Sequence, residues 1–194
     1  MNIQVKSSNG ITVVPVEASL MDERILFIEE EINQESANEF VKKFLFLNKQ
    51  NSDRPIYLLI NSLGGEVTAG LLIYDVIQSS KVPIITFCVG RAYSMAAVLF
   101  ASGNKRYVMS HSEIMLHEPL LGNKIQGNAS SIKSVSDSLM DTKRKINGIL
   151  AKHTGKKEKE IEKATSYDHY FSSTEAVEFG LADEIADINM IMEE

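Results

Sequence analysis

The sequence predicts a single α/β domain built on a parallel sheet with crossover helices. Three observations carry this reading. Residues 55–61 (PIYLLIN) and 82–90 (VPIITFCVG) are continuous apolar runs, the pattern of strands buried on both faces. Each run leads through glycine into a helix-like segment, residues 62–80 (SLGGEVTAGLLIYDVIQSS) and 91–102 (RAYSMAAVLFAS), and consecutive strand–glycine–helix units imply parallel strands joined by helical crossovers. The 194 residues hold no internal repeat, low-complexity tract or linker, so residues 1–194 read as one domain with a sizeable core.

The elements follow in order. Val13, Val14 and Val16 around Pro15 suit a short edge strand, preceded by a mobile N-terminal segment over residues 1–12. RILFIEE (24–30) reads as a strand, and residues 33–49 place Phe40, Phe44 and Leu47 at helical spacing. The two strand–glycine–helix units come next. Beyond Gly103, KRYVM and EIMLHEP are short strand-like pieces, and LLGNKIQGN (120–128) is loop. A long helix spans about residues 129–152. Its apolar positions Ile132, Val135, Leu139, Ile146 and Ile149 form a narrow stripe of the coiled-coil kind, suited to packing on the parent domain or on another subunit. HTGKKEKEIEKAT is a turn and a short charged helix. The last helix has Ser172 as N-cap with Glu175 as capping-box partner. Gly180 ends it, and a final strand includes Ile185.

Composition narrows the function classes. A net charge of −6 argues against a nucleic-acid partner, and the densest basic stretch, GKKEKEIEK, mixes both signs as a solvated helix face does. The single cysteine, Cys88, excludes an internal disulfide and fits a reducing compartment. MNIQVKSSNG lacks the apolar core of a signal peptide, and the uncharged stretch 92–104 is too short to span a bilayer. The expectation is a cytoplasmic protein without a membrane partner.

Several residues have the chemistry of a site. Gly64 and Gly65 in NSLGGEV, at a helix start, suit an oxyanion or phosphate cradle as well as a plain tight turn. The stretch lacks the lysine of a phosphate-binding loop and the GxGxxG of a dinucleotide fold. Ser94 falls in the first turn of the second helix, where a serine serves as cap, packing residue or nucleophile. As a nucleophile it needs a base. His117, closing an apolar strand before Pro119, is placed as a core histidine or as that base. His153 and His169 read as exposed, and His111 as part of a turn. His111, Glu113 and His117 together lack a recognised metal-ligand spacing. An acid to orient the imidazole is available by type in Asp75, Asp137, Asp141, Asp168 and Asp183, and spacing does not choose among them.

NSLGGEVTAGLLIYDVI, VGRAYSMAAVLFASG and IMLHEPLLG, in this order, resemble the ClpP family, the proteolytic subunit of the ATP-dependent Clp protease. SYDHYFSSTEAVEFGLADEI resembles the segment that carries the family's acid. The resemblance runs from about Arg24 to Ile185. It implies Ser94 as nucleophile, His117 as general base and Asp168 as orienting acid, with the backbone N–H groups of Gly65 and Met95 as oxyanion donors. It also implies a crotonase-like fold of repeated strand–strand–helix units, and two stacked heptameric rings joined through the long helix, homomeric or mixed with a paralogue. An AAA+ unfoldase such as ClpX, ClpA or ClpC would feed unfolded polypeptide to the chamber and hydrolyse the ATP. The peptidase itself would need no cofactor and no metal.

The chain departs from the family pattern at several points. Leu63 replaces the proline of NSPGG, Tyr93 the small residue before the serine, Arg91 and Glu118 glutamines, and Tyr167 an arginine beside the acid. A tyrosine at 93 is expected to crowd the substrate groove or reshape side-chain preference. These departures mark a divergent paralogue and keep open a weakly active or inactive structural subunit of mixed rings. An acyl-CoA enzyme on the crotonase fold is a third alternative.

Overall fold

In the computed structural model, which describes residues 1–7, 10–50, 53–122 and 126–191, the two apolar runs are neighbouring central strands. The main sheet has seven strands, β3 to β9. Its parallel path runs β3 (Ile25–Ile28), β4 (Ile56–Ser62), β5 (Ile84–Tyr93), β6 (Lys105–Val108) and β9 (Glu184–Ile185). Crossovers are made by α2 (Gln34–Lys49), α3 (Val67–Gln78) and α4 (Met95–Ala101). This is the expected α/β architecture.

Strand β5 is longer than the sequence predicts and changes partner along its length. Residues 85–88 pair with β6. After Gly90, at φ 100°, Arg91–Tyr93 pair in parallel with β7 (Glu113–Leu116). The β4–β5 register shifts beside this bend, between Ile60 and Ser62. Strand β7 then pairs antiparallel with β8 (His169–Ser172). The segment RAY therefore belongs to the strand, and the helix begins only at Met95. Ladder pairing with β7, whose paired residues lie 22 positions away in sequence, extends the strand through residues whose local pattern reads as helix.

The core lies between the sheet and its helices. Phe40, Phe44 and Leu47 of α2, Ile73 and Ile77 of α3, and Ile146 and Leu150 of α5 (Ala129–Thr154) pack with Leu26, Leu58, Ile60 and Cys88 of the strands. All of α4 is buried, as a helix apolar on every side requires. A smaller cluster, Ile25, Tyr57 and Phe87, covers the opposite face.

The long helix α5 extends to Thr154 and ends in a left-handed Gly155. Its apolar stripe divides: Ile146 and Ile149 join the core, while Ile132 is 44% exposed. Helices α6 (Glu158–Thr165) and α7 (Ser173–Phe179) form as expected, α7 with the Ser172–Glu175 capping box and Gly180 at its end. The loop expected at 120–128 includes residues 123–125, which lie outside the described residues.

The N-terminus differs from the reading of a lone edge strand behind residues 1–12. Strands β1 (Asn2–Ser7) and β2 (Gly10–Pro15) pair antiparallel in register from Asn2↔Pro15 to Ser7↔Gly10. Val16 starts α1 (Val16–Asp22), with Pro15 as its N-cap residue. Cross-strand pairing again supplies what local composition does not announce.

Candidate active site

Ser94 stands at the junction of β5 and α4, at the N-cap, rather than inside the first helical turn. Its backbone is at φ 54°, ψ −123°, a region that costs a non-glycine residue about 1–3 kcal/mol. The Ser94 N–H donates to the Met115 carbonyl in β7 at 2.8 Å. A sharp strand-to-helix turn of this kind lifts the hydroxyl out of both elements, although the sequence lacks the GxSxG motif.

His117 lies one residue beyond β7. Its Nε2 is 2.7 Å from Ser94 Oγ. With the hydroxyl as donor, Nε2 accepts and the ring proton sits on Nδ1. Asp168 lies one residue before β8, and the pair Leu116↔His169 puts Asp168 directly opposite His117 in the antiparallel register. Asp168 Oδ1 is 3.6 Å from His117 Nδ1, with side-chain exposures of 16% for the histidine and 61% for the aspartate. That separation is longer than a direct hydrogen bond and within the range of a charge interaction. Among the five aspartates the sequence left open, Asp137, Asp141 and Asp183 are engaged by Lys133, Arg144 and Arg106.

The glycine turn meets this junction from β4. Gly64 is at φ 92° and Gly65 at φ 149°. A Cβ on Gly64 would lie 2.6 Å from the Tyr93 carbonyl oxygen, 2.9 Å from Ser94 Cβ and 3.0 Å from the Met95 nitrogen. The turn is held by Ile32 N–H to the Gly64 carbonyl, 2.8 Å, and Glu66 N–H to the Ile32 carbonyl, 2.7 Å. Buried Ser62 braces it further: its hydroxyl donates to the Glu30 carbonyl at 2.5 Å and accepts from Gly64 N–H at 3.1 Å. Leu63, where the family pattern has proline, is 58% exposed, so the brace comes from its neighbour. Among the hydrogen bonds of the described residues, neither Gly65 N–H nor Met95 N–H has an acceptor.

A small pocket of about 20 Å³ opens beside Ser94 and His117. Val67, Met95, Val98, Leu116, Ile146 and Leu150 make its walls apolar.

Other expectations are corrected here. His153 is half-buried, and its Nε2 is 3.0 Å from the Tyr74 hydroxyl. Burial, then the charges of Lys152 and Arg106, push its pKa down to about 4. His169 is half-buried and stacks on Phe171 at 4.1 Å. Glu118, next to His117, is held 2.7 Å from Lys143 of α5. The Tyr93 phenol donates to Glu113 of β7. No signal in the local sequence foretells the pairs Tyr74–His153, Glu118–Lys143 and Tyr93–Glu113, because each joins residues at least twenty positions apart. No group of three metal-ligating side chains occurs among the described residues, and no helix among them is long and apolar enough to cross a membrane.

The comparison with known families agrees with the motif order. A family model described as Clp protease matches residues 8–189, nearly the whole chain. The chain belongs to the Clp protease family, a family of peptidases that work as oligomers with an unfoldase.

Proposed function

We propose that this chain is an active serine endopeptidase in which Ser94 is the nucleophile, His117 the general base and Asp168 the acid that orients it. The observation that carries this is the 2.7 Å contact of His117 Nε2 with Ser94 Oγ at a backbone position strained enough to need a reason. Serine is a weak nucleophile until a base takes its proton, and here the base is within hydrogen-bond reach. As Oγ bonds to the scissile carbonyl carbon, its proton passes to Nε2. The negative charge of Asp168 favours the resulting imidazolium. Negative charge moves to the carbonyl oxygen, where the unengaged N–H groups of Gly65 and Met95 are the candidate donors.

Collapse of the tetrahedral species breaks the C–N bond. The imidazolium returns the proton to the departing amine and leaves an acyl-Ser94. Water, deprotonated by the same imidazole, then releases the carboxylate and restores the serine. No step needs a metal or cofactor.

The finer assembly also belongs to this reading. Two stacked heptameric rings, homomeric or mixed with a paralogue, would enclose the sites. The exposed end of α5, with Ile132 and Met140, offers apolar surface for the ring–ring contact. An AAA+ unfoldase in the cytoplasm would supply unfolded polypeptide and consume the ATP.

The test is the intact mass after treatment with a serine-reactive phosphonate, beside Ser94→Ala. One adduct, lost in the variant together with peptide cleavage while the oligomer persists, is the expected result. Cleavage retained by Ser94→Ala sinks the proposal. Absence of an adduct even with an unfoldase or a paralogous ring present points instead to a structural subunit.

A further inference from the structure

Tyr93 immediately precedes Ser94 and reaches both strands that lead to its partners. Its phenol donates to Oε1 of Glu113. Glu113 opens β7, whose end delivers His117. The Tyr93 ring meets Tyr170 edge-on, with centroids 5.7 Å apart and planes at 85°. Tyr170 lies in β8, two residues beyond Asp168. The registers Tyr93↔Met115 and Met115↔Tyr170 place these rings on the two strands that flank β7, on either side of Met115. Glu113, two residues from Met115, shares its face.

Ser94 at φ 54° occupies a conformation that persists only where its surroundings over-determine it. Its own N–H bond to Met115 is a backbone contact any residue can make. Tyr93 adds a side-chain bond to the same strand, next to the strained position. The acceptor's charge makes this one of the stronger hydrogen bonds in proteins. The phenol pKa is pushed up to about 12, first by the hydrogen bond to Glu113 and then by burial, so the donor persists across the neutral range. The hydrogen bond and the ring contact both join neighbouring strands, so the effect falls on alignment.

We propose that Tyr93 is a positioning residue that, through Glu113 and Tyr170, locks the Ser94 turn in register with the strands carrying His117 and Asp168. This role rests on the hydrolytic reading of Ser94. It acts on the rate of acylation and leaves the fit of substrate side chains alone.

The experiment compares wild type, Tyr93→Phe, Glu113→Gln and the double variant in the assembled oligomer. It measures kcat and KM on a short apolar peptide, the rate of Ser94 labelling by the phosphonate, and the sedimentation of each assembly. Tyr93→Phe keeps the ring and removes only the O–H bond. Its kcat and labelling rate are expected to fall about tenfold, equal to about 1.4 kcal/mol, with KM unchanged. Glu113→Gln keeps a neutral acceptor and loses less. The double variant is no worse than Tyr93→Phe alone, since both remove one interaction. Wild-type kcat in Tyr93→Phe, a change confined to KM, additive losses, or a loss that follows dissociation of the oligomer each overturns the role. Wild-type protein that never labels at Ser94 overturns the hydrolytic reading and this role with it. Labelled wild type with an unchanged Tyr93→Phe overturns this role alone.

Discussion

Gly64→Ala probes the packing of the glycine turn on the Ser94 junction. The new Cβ would meet three atoms, the Tyr93 oxygen at 2.6 Å, Ser94 Cβ at 2.9 Å and the Met95 nitrogen at 3.0 Å. None is the free end of a flexible side chain, so relief requires moving backbone. Two costs add. A non-glycine residue at φ 92° costs about 1–3 kcal/mol, and forcing packed atoms apart costs about 1–3 kcal/mol. Their sum, roughly 2–6 kcal/mol, is large beside the roughly 5–15 kcal/mol that holds a domain folded. The displaced atoms flank the nucleophile, and a misplacement of about 1 Å can cost about a hundredfold in rate.

Gly148→Ala is the control. Gly148 lies inside α5, and nothing lies within 4 Å of a Cβ there. Removing a mid-helix glycine is expected to stabilise by about 0.5–1 kcal/mol. Thermal melting at one protein concentration and the rate of Ser94 labelling are read for both variants. The expected result is a lowered melting temperature with labelling slowed about a hundredfold for Gly64→Ala, and a raised one with wild-type labelling for Gly148→Ala. Wild-type labelling by Gly64→Ala would refute the reasoning, because the turn would then have relaxed without moving the junction.

Two further predictions concern pH. Burial alone would raise the Asp183 carboxyl, but the hydrogen bonds and charge of Arg106 outweigh it and hold the pKa below the ordinary value. Stability from this pair is present above the unfolded carboxyl pKa and lost as pH falls through the lowered folded value. Asp183→Asn should melt about 2–4 °C lower at neutral pH, for about 1 kcal/mol from a partly exposed pair. The gap should close in acid, and a gap that persists there contradicts the ion-pair account. For His153 the folded pKa of about 4 lies below 6.5. Between those values the unfolded chain binds the proton and the native state does not, so this contribution is full above 6.5 and falls toward 4. Melting of His153→Gln should depend less on pH across that window than wild type, and parallel curves would refute the assignment.

How much was legible in the sequence depends on the range of the interaction responsible. Apolar runs of 55–61 and 82–90 announced central strands because a strand buried on both faces must be apolar throughout. The Ser172–Glu175 box and Gly180 announced the ends of α7 because capping acts over a few residues. Ser94, His117 and Asp168 became candidates through residue type and motif order, and a shared family pattern chose Asp168 where spacing could not.

Pairing decided the rest. β7 extends β5 through Tyr93 and so sets Ser94 at a strained corner instead of within a helix. The β7–β8 register brings Asp168 opposite His117, and the same strands receive Tyr93 through Glu113 and Tyr170. His153 and His169, polar by their neighbours in sequence, are half-buried because α3 and β7 pack against them. Local composition determined which segments could be strand, helix or turn, since propensity and burial pattern are written into short windows. Tertiary structure alone decided which segments meet, because hydrogen-bond ladders and side-chain locks join residues whose separation in the chain carries no record of their contact.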